Sequence, residues 1–444
     1  MFTYHIITFG CQMNFNDSER IIRIAENLKF KRVENRFEAD LVIVNTCGIR
    51  QSAEDRVIGI VPKLKKKRPD CIIIITGCSA HRKDFQKKLA SSASYFIEIL
   101  ELPQFLKKLA RTKMKSKNEK QKEKSLLTQS ADFFKISPLP SSTFSAYVPI
   151  MTGCNNFCSY CVVPYARGRE FSRPSKDISQ EIKQLVATGY KEIILLGQNV
   201  NSYQPELSKN EKIANFPTLL EKINQISGDF WIRFLTSHPK DMSDDLIKLI
   251  ADSRKITNYI HLPFQSGSNR ILKLMKRKYT IEHYLKLITK IRIKIPQVAL
   301  STDIIVGFPG ETKEDFGKTA QVMKTVGFDM AYISAFSSRP GTIANKMEDN
   351  VSEIEKKERK IILTEILKQT AFENNQKYIG EKVKVLIEKK KTSPSNKCIY
   401  LGKTETYKNI RINLSTSQSV KVGEFLKVKV TGAGIFGLEG IMLR

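Results

Sequence analysis

Twice along the chain, short β-branched or apolar runs alternate with segments of helical period, and this alternation restricts the fold to layered α/β forms. In the first hundred residues the runs lie at 4–8, 40–46 and 72–76. Between the first two, Asn16-Asp17-Ser18-Glu19 precedes Ile21, Ile22, Ile24, Ala25 and Leu28, which reads as an N-cap leading into an apolar helix face. Strands separated by helices need crossover connections, so a doubly wound parallel sheet is expected. From about residue 145 the pattern resumes, with candidate strands at 146–151, 192–196, 230–235, 259–263, 298–306 and 330–336. Amphipathic stretches such as 178–186 and 314–325 separate them. Six βα units predict a partial (β/α)6 barrel, short of the eight that close a TIM barrel.

After a charged helical stretch at 351–376, strand-like runs at 382–388, 397–401, 409–414 and 425–431 predict a small all-β barrel. Residues 107–124 carry nine Lys and Arg against Glu119 and Glu123, with almost no apolar periodicity after Leu109. That stretch reads as a solvated, mobile linker. The expected organisation is an α/β domain at 1–106, a basic linker at 107–140, a βα barrel at 141–375 and a β domain at 376–444. A chain of 444 residues has room for about three domains.

A formal net charge of +29 directs attention to a polyanionic partner such as nucleic acid. The tail from 376 carries net +9, which suits a compact β-barrel that binds oligonucleotides. With 41% hydrophobic residues the composition is globular, not disordered. No apolar run approaches the roughly 20 residues of a membrane span. Residues 1–10 lack the pattern of a signal peptide, so a cytoplasmic, reducing location is expected.

The eight cysteines stand at 11, 47, 71, 78, 154, 158, 161 and 398. Cys154, Cys158 and Cys161 have C-x3-C-x2-C spacing at the carboxyl end of the first candidate barrel strand, where barrel active sites form. Three thiolates on one loop can hold an iron–sulfur cluster, and three ligands for four irons leave one iron open. A structural zinc site would want a fourth Cys or His, and none follows Cys161 closely. Cys11, Cys47 and Cys78 each lie just past a candidate strand of the first sheet. In a doubly wound sheet those ends adjoin, so three distant residues can meet at one edge and hold a second cluster. Gly10, Gly48 and Gly77 beside them allow close backbone approach. Cys71 starts its strand and Cys398 has no partner in the tail, so both read as packing residues.

C-x3-C-x2-C after the first strand of a partial barrel resembles the radical S-adenosylmethionine (SAM) superfamily. The whole chain resembles MiaB-type tRNA methylthiotransferases. That match rests on Gly10-Cys11-Gln12-Met13-Asn14, Asn45-Thr46-Cys47, Cys161-Val162-Val163-Pro164, Arg167-Gly168-Arg169-Glu170 and Leu196-Gly197-Gln198-Asn199. It continues through Thr236-Ser237-His238-Pro239, Gln265-Ser266-Gly267-Ser268, Ile305-Val306-Gly307-Phe308-Pro309-Gly310-Glu311-Thr312 and Ser338-Arg339-Pro340-Gly341-Thr342.

The resemblance implies an N-terminal methylthiotransferase domain, a radical-SAM core and a TRAM domain. It implies two [4Fe-4S] clusters: a SAM-binding one on Cys154, Cys158 and Cys161, and an auxiliary one on Cys11, Cys47 and Cys78 that carries sulfur. One SAM would methylate that sulfur, and a second would be cleaved to the radical that activates C2 of adenine. Strand-end position and resemblance together point to Gly197, Gln198, Asn199, Gln265, Ile305 and Gly307 as SAM contacts. The implied substrate is N6-isopentenyladenosine 37 in the anticodon stem-loop of tRNA, with an electron donor and a sulfur donor as further partners. A base in a loop is cheaper to splay out than one in a duplex. Gln12-Met13-Asn14 resembles this branch, where the ribosomal-protein aspartate branch has Pro-Lys-Asn and the threonylcarbamoyladenosine branch Lys-Val-Asn. One departure is Ser79-Ala80-His81 after Cys78, where members often have a Gln. A metal-containing RNA-binding protein without catalysis is the alternative of a different class. No His or Glu is needed as a general base, and His238 and His261 read as structural or pocket-lining.

Overall fold

The computed structural model describes residues 2–114, 130–206, 215–392, 398–413 and 420–443. The first unit comprises β1 (Thr3–Phe9), α1 (Gln12–Asn27), β2 (Lys31–Arg32), β3 (Leu41–Thr46), α2 (Gln51–Lys67), β4 (Ile72–Gly77), α3 (Lys83–Leu89), β5 (Tyr95–Phe96) and α4 (Leu102–Met114). Its five strands are all parallel, in the order β2-β1-β3-β4-β5. Alternate residues of β3 and β4 bury opposite faces. Leu41, Ile43 and Ile74 pack with Ile21, Ala25, Leu102 and Leu106 of α1 and α4. Val42, Val44, Ile73 and Ile75 pack with Val57, Val61, Phe85 and Leu89 of α2 and α3. Helices on both faces of a parallel sheet make the doubly wound form, and its strand order reverses between β1 and β3.

Two expectations change here. Helix α1 begins at Gln12, with Cys11 as its N-cap, so Asn16, Asp17, Ser18 and Glu19 lie inside the helix and are buried. They are tolerated there because Thr8 and Asn45 engage Ser18 and the neighbouring unit supplies partners for the rest. The Asn16 amide donates to the Tyr147 carbonyl at 2.9 Å, and Glu19 accepts from the Ser141 N–H at 2.8 Å. The expected linker is also less open than its charge suggested. Helix α4 runs on to Met114, and Ala110 is buried against α1. A short helix α5 (Ser130–Phe134) buries Phe133, and Arg20 and Arg173 both lie over the Phe134 ring. The rest of that stretch, 115–129, lies outside the described residues.

The second unit carries β6 (Ser145–Pro149), β7 (Met151–Thr152), α6 (Val163–Arg167), β8 (Phe171–Ser172), α7 (Ser175–Ala187), β9 (Glu192–Leu196), α8 (Phe216–Asn224), β10 (Trp231–Phe234) and α9 (Asp244–Asp252). It continues with β11 (Tyr259–His261), α10 (Asn269–Leu274), α11 (Ile281–Lys294), β12 (Ala299–Val306), α12 (Lys313–Val326), β13 (Met330–Ala335) and α13 (Glu353–Gln376). Strands β6, β9 and β10 form one parallel set and β11, β12 and β13 another, joined by a bridge between Ile232 and Ile256. This is the six-stranded partial barrel. The first expected strand breaks after Pro149, and β7 pairs antiparallel with β8 instead, bending the chain toward the cysteine loop. On β9, Ile193 and Leu195 face the helices, whereas Ile194 and Leu196 face the lumen.

The tail closes into a barrel of β14 (Lys382–Thr392), β15 (Cys398–Thr404), β16 (Asn409–Asn413), β17 (Phe425–Gly434) and β18 (Gly437–Met442), in the order β14-β15-β16-β18-β17. The sequence suggested four of these strands. The fifth, β18, is masked by its glycines, yet a Cβ on Gly440 would stand 2.5 Å from Val428 Cγ1, so only glycine lets it close the barrel.

Candidate metal centre

Strands β1, β3 and β4 deliver Cys11, Cys47 and Cys78 to one edge of the sheet. Gly10 (φ +147°) is so close to the next strand that a Cβ there would lie 2.8 Å from Cys47 Cβ. A Cβ on Gly48 would lie 3.4 Å from Cys78 Cβ. Asn14 Oδ1 accepts from the Cys11 N–H at 3.2 Å and lies 3.3 Å from its Sγ. Asn45 fixes Asn14 in turn, donating to its carbonyl at 2.8 Å and accepting from its side-chain amide at 3.1 Å. The Ile49 N–H points at Cys47 Sγ at 3.3 Å. Ser79, in the departing segment after Cys78, donates to the Cys47 carbonyl at 3.1 Å.

Burial raises the Cys11 thiol, with Cys78 adding to the effect and Arg167 opposing it. Burial, then neighbouring Cys78 and Cys11, pushes Cys47 up to about 11. The three sulfurs are therefore electrostatic neighbours in a nearly dry edge, a donor set that favours a cation shared among them. Among the described residues no three His, Cys, Asp or Glu side chains stand at the spacing of a single ion's ligands. A four-iron cube would fasten each thiolate to a different iron, and three cysteine thiols at adjoining strand ends are the donor type it takes.

The other triad lies on the loop after β7. Gly153 (φ +77°) starts the loop, and a Cβ there would meet the Arg169 carbonyl at 2.1 Å. Ser159 anchors the middle, donating from its hydroxyl to the Leu274 carbonyl at 2.8 Å and from its N–H to the Met275 carbonyl at 3.1 Å. Burial raises Cys154, and burial followed by Cys158 pushes Cys161 up to about 12. Arg277 Nη1 stands 3.5 Å from Cys158 Sγ and its Nε donates to the Tyr279 hydroxyl at 3.1 Å.

The N-terminal triad meets the barrel at the junction of the units. Cys11 and Met13 pack with Tyr147, Ile194, Leu196 and Leu235, apolar residues of the barrel lumen. Arg167, on α6 just past Cys161, donates to Cys78 Sγ at 3.3 Å and pairs with Asp17 at 2.8 Å. Arg339, from the barrel end, donates to the Ile49 carbonyl at 2.8 Å and to Gln51 at 2.7 Å. Neither arginine was singled out from sequence, although both sit inside motifs that carried the resemblance. Cys71 is buried in the sheet core and Cys398 lies against the tail core, away from both groups.

Of the expected SAM contacts, Gly197 follows β9, and a Cβ there would meet Met151 Cγ at 2.5 Å. Gln198 Oε1, Asn199 Oδ1, Asn201 Oδ1 and Ser237 Oγ are buried without a hydrogen-bond partner among the described residues. Buried oxygens of this kind carry a desolvation cost until a donor arrives, and a ligand ammonium group would supply one. They fit the amino group of SAM. Beside them, a cavity of about 500 Å³ lies between Asn155, Glu170, Asn201 and Asp241. Gln265 (φ +66°) bridges to Ile304, and Ile305 donates its N–H to the Gln265 carbonyl at 3.1 Å. Gly307 has a packing reason to be glycine, because a Cβ there would strike Lys356 Cγ at 2.3 Å. Both ring nitrogens of His261 are engaged, by Ser301 at 2.8 Å and Asp303 at 3.3 Å. His238 accepts from the Lys240 N–H at 3.2 Å.

A six-stranded partial βα barrel with three cysteines on the loop after its first strands is the form of a radical SAM enzyme, and residues 148–323 match the Radical SAM superfamily. Residues 3–97 match Uncharacterized protein family UPF0004. The structure is similar to a radical S-adenosylmethionine methyltransferase, TsrM, from Kitasatospora setae, with a TM-score of 0.53 over 78% of this chain and 74% of that one at 13% identity, a likeness of fold. The chain belongs to the family of tRNA-2-methylthio-N(6)-dimethylallyladenosine synthases. It is 42% identical to that enzyme of Carboxydothermus hydrogenoformans over 99% of each chain. It is 41% identical to that of Clostridium tetani, over 99% of this chain and 96% of the relative.

Proposed function

We propose that this protein transfers a methylthio group to C2 of N6-isopentenyladenosine (N6-dimethylallyladenosine) at position 37 of tRNA, using two [4Fe-4S] clusters and two SAM per turnover. Cys154, Cys158 and Cys161 would hold the SAM-binding cluster, and Cys11, Cys47 and Cys78 the auxiliary one. Bound there, the clusters and SAM supply the one-electron chemistry that an unactivated C2–H requires. The chain's own residues position and enclose. Gln198, Asn199 and Ser237 offer acceptor oxygens to the SAM ammonium, with Gly197, Gln265, Ile305 and Gly307 shaping the surrounding backbone. Met13, Ile194, Leu196 and Leu235 keep the space between the triads apolar and exclude water. The basic tail would hold phosphates of the anticodon stem-loop while the base, splayed from its stack, enters the lumen.

The observation that supports this reading is that Cys11 packs against lumen residues of the barrel while Arg167, just past Cys161, bonds Cys78. The names of the relatives favour the isopentenyladenosine branch over the ribosomal-protein aspartate and threonylcarbamoyladenosine branches. No helix among the described residues is long and apolar enough to cross a membrane. A cytoplasmic setting with separate electron and sulfur donors completes the proposal. Nucleoside mass spectrometry after gene deletion tests it: the methylthio-isopentenyladenosine signal disappears, and an unchanged signal rejects the assignment. Anaerobic reconstitution should give about eight irons per chain. Zinc instead would support an RNA-binding protein without this catalysis.

A further inference from the structure

Each triad has an arginine donating to one of its thiols, but the two arginines differ in origin. Arg277 belongs to the same unit as Cys158 and is held by Tyr279 and the Pro263 carbonyl. Arg167 comes from the barrel, yet it bonds Cys78 of the other unit. Its side chain is buried, and so is that of Asp17, which aims it. Burying this ion pair at a junction is costly unless the remaining guanidinium donors are used, and here a second arm is spent on a sulfur. A guanidinium fork can bond a carboxylate and a thiolate at once, which an ammonium cannot do with the same geometry.

We propose that Arg167 is a positioning residue of the auxiliary site: it holds Cys78 and offsets the negative charge of the thiolates there, so that this site acquires its working redox potential only when the barrel loop is docked. The proposal rests on the two-cluster reading above. Hydrogen bonds to cluster sulfurs and nearby charge set the potential of an iron–sulfur centre, and a fixed positive charge in a buried site favours the reduced form. Of the nearby arginines of the same edge, Arg82 is paired with Glu54 and Asp84, and Arg339, although close enough to Cys47 to add positive charge there, donates to Ile49 and Gln51. Helix α6, which follows the Cys154–Cys161 loop, thus reports its own position to the Cys11, Cys47 and Cys78 site.

The test uses the full chain carrying Cys154→Ala, Cys158→Ala and Cys161→Ala, so that only auxiliary iron remains, with Arg167→Gln or Arg167→Lys added. Iron content and the potential from an anaerobic redox titration followed by electron paramagnetic resonance are read. Arg167→Gln is expected to retain iron at a more negative potential, and Arg167→Lys to recover most of the shift. Loss of iron in Arg167→Gln but not in Arg167→Lys also supports the role. An unchanged potential in Arg167→Gln, or iron loss in both variants, overturns it. In the chain with all six cysteines, an equal shift of the SAM-binding cluster would overturn it as well. If the triple-cysteine variant with Arg167 intact binds no iron, the two-cluster reading fails first and takes this proposal with it.

Discussion

A single glycine shows how tightly the auxiliary edge is built. Gly10 adopts φ +147°, and any Cβ there would fall 2.4 Å from Asn14 Oδ1, the atom that organises Cys11. Gly10→Ala should therefore displace Cys11 while leaving the barrel loop alone, and reconstituted protein should lose about half its iron. Iron assays with and without the Cys154 triad would show whether the loss is confined to one site. A second residue-scale effect concerns pH. Burial, reinforced by Arg277 and Lys240, pushes His238 from an ordinary 6.5 down to about 2. The unfolded chain then binds a proton that the folded one refuses, so stability is complete above the unfolded value and falls as acidity increases. The slope is about 1.4 kcal/mol per pH unit at most. His238→Gln should flatten that slope in denaturant titrations between neutrality and about pH 4. At this scale the placement of Cys11, Cys47 and Cys78 at adjoining strand ends was legible because strands can be read from β-branched runs. Arg167 was not, since its partner Cys78 lies 89 positions away and no local pattern encodes that distance.

Among elements, the instructive case is α12, because a motif that marked the family turns out to hold the fold. Glu311 accepts from the Gly307 N–H at 2.6 Å and pairs with Arg359 of α13. Thr312 caps α12, accepting from the Asp315 N–H at 3.2 Å while Asp315 accepts from the Thr312 N–H at 3.0 Å. Thr312→Ala should cost about 1 kcal/mol of stability and leave the iron content unchanged. Chemical denaturation alongside an iron assay would check both, and lost iron would mean that the motif serves the site directly. The same distinction explains what was misread in α1. Asn-Asp-Ser-Glu has the composition of a helix start, but Asn16, Asp17 and Glu19 are spent on Tyr147, Arg167 and Ser141 of the neighbouring unit and Ser18 on Thr8 and Asn45. Local propensity was outweighed by partners that only the folded chain brings near. The break after Pro149 and the strand β18 escaped for a related reason, since pairing partners rather than side-chain type decide them.

At the scale of the whole molecule, the tail is fastened to the barrel by Arg233. That guanidinium is fully buried, bonding Glu192 at 2.6 Å and the carbonyls of Thr404 and Glu405 at 2.8 and 2.7 Å. Removing 376–444 would strand it without those acceptors, so a truncation confuses lost RNA contacts with a damaged barrel. A surface substitution separates the two. Lys382 of β14 and Lys429 of β17 are exposed and directly opposite each other in antiparallel pairing. Like charges in that position are unfavourable unless an anion lies across them. Replacing one should therefore leave the free protein as stable as before, or slightly more so, while weakening its hold on phosphate. Lys429→Gln is expected to lower tRNA affinity at low salt and to reduce the slope of log K against log salt by about one. Its melting temperature should not fall. Unchanged affinity and slope with intact stability would remove this face of the tail from the RNA contact and leave its net charge of +9 without that use.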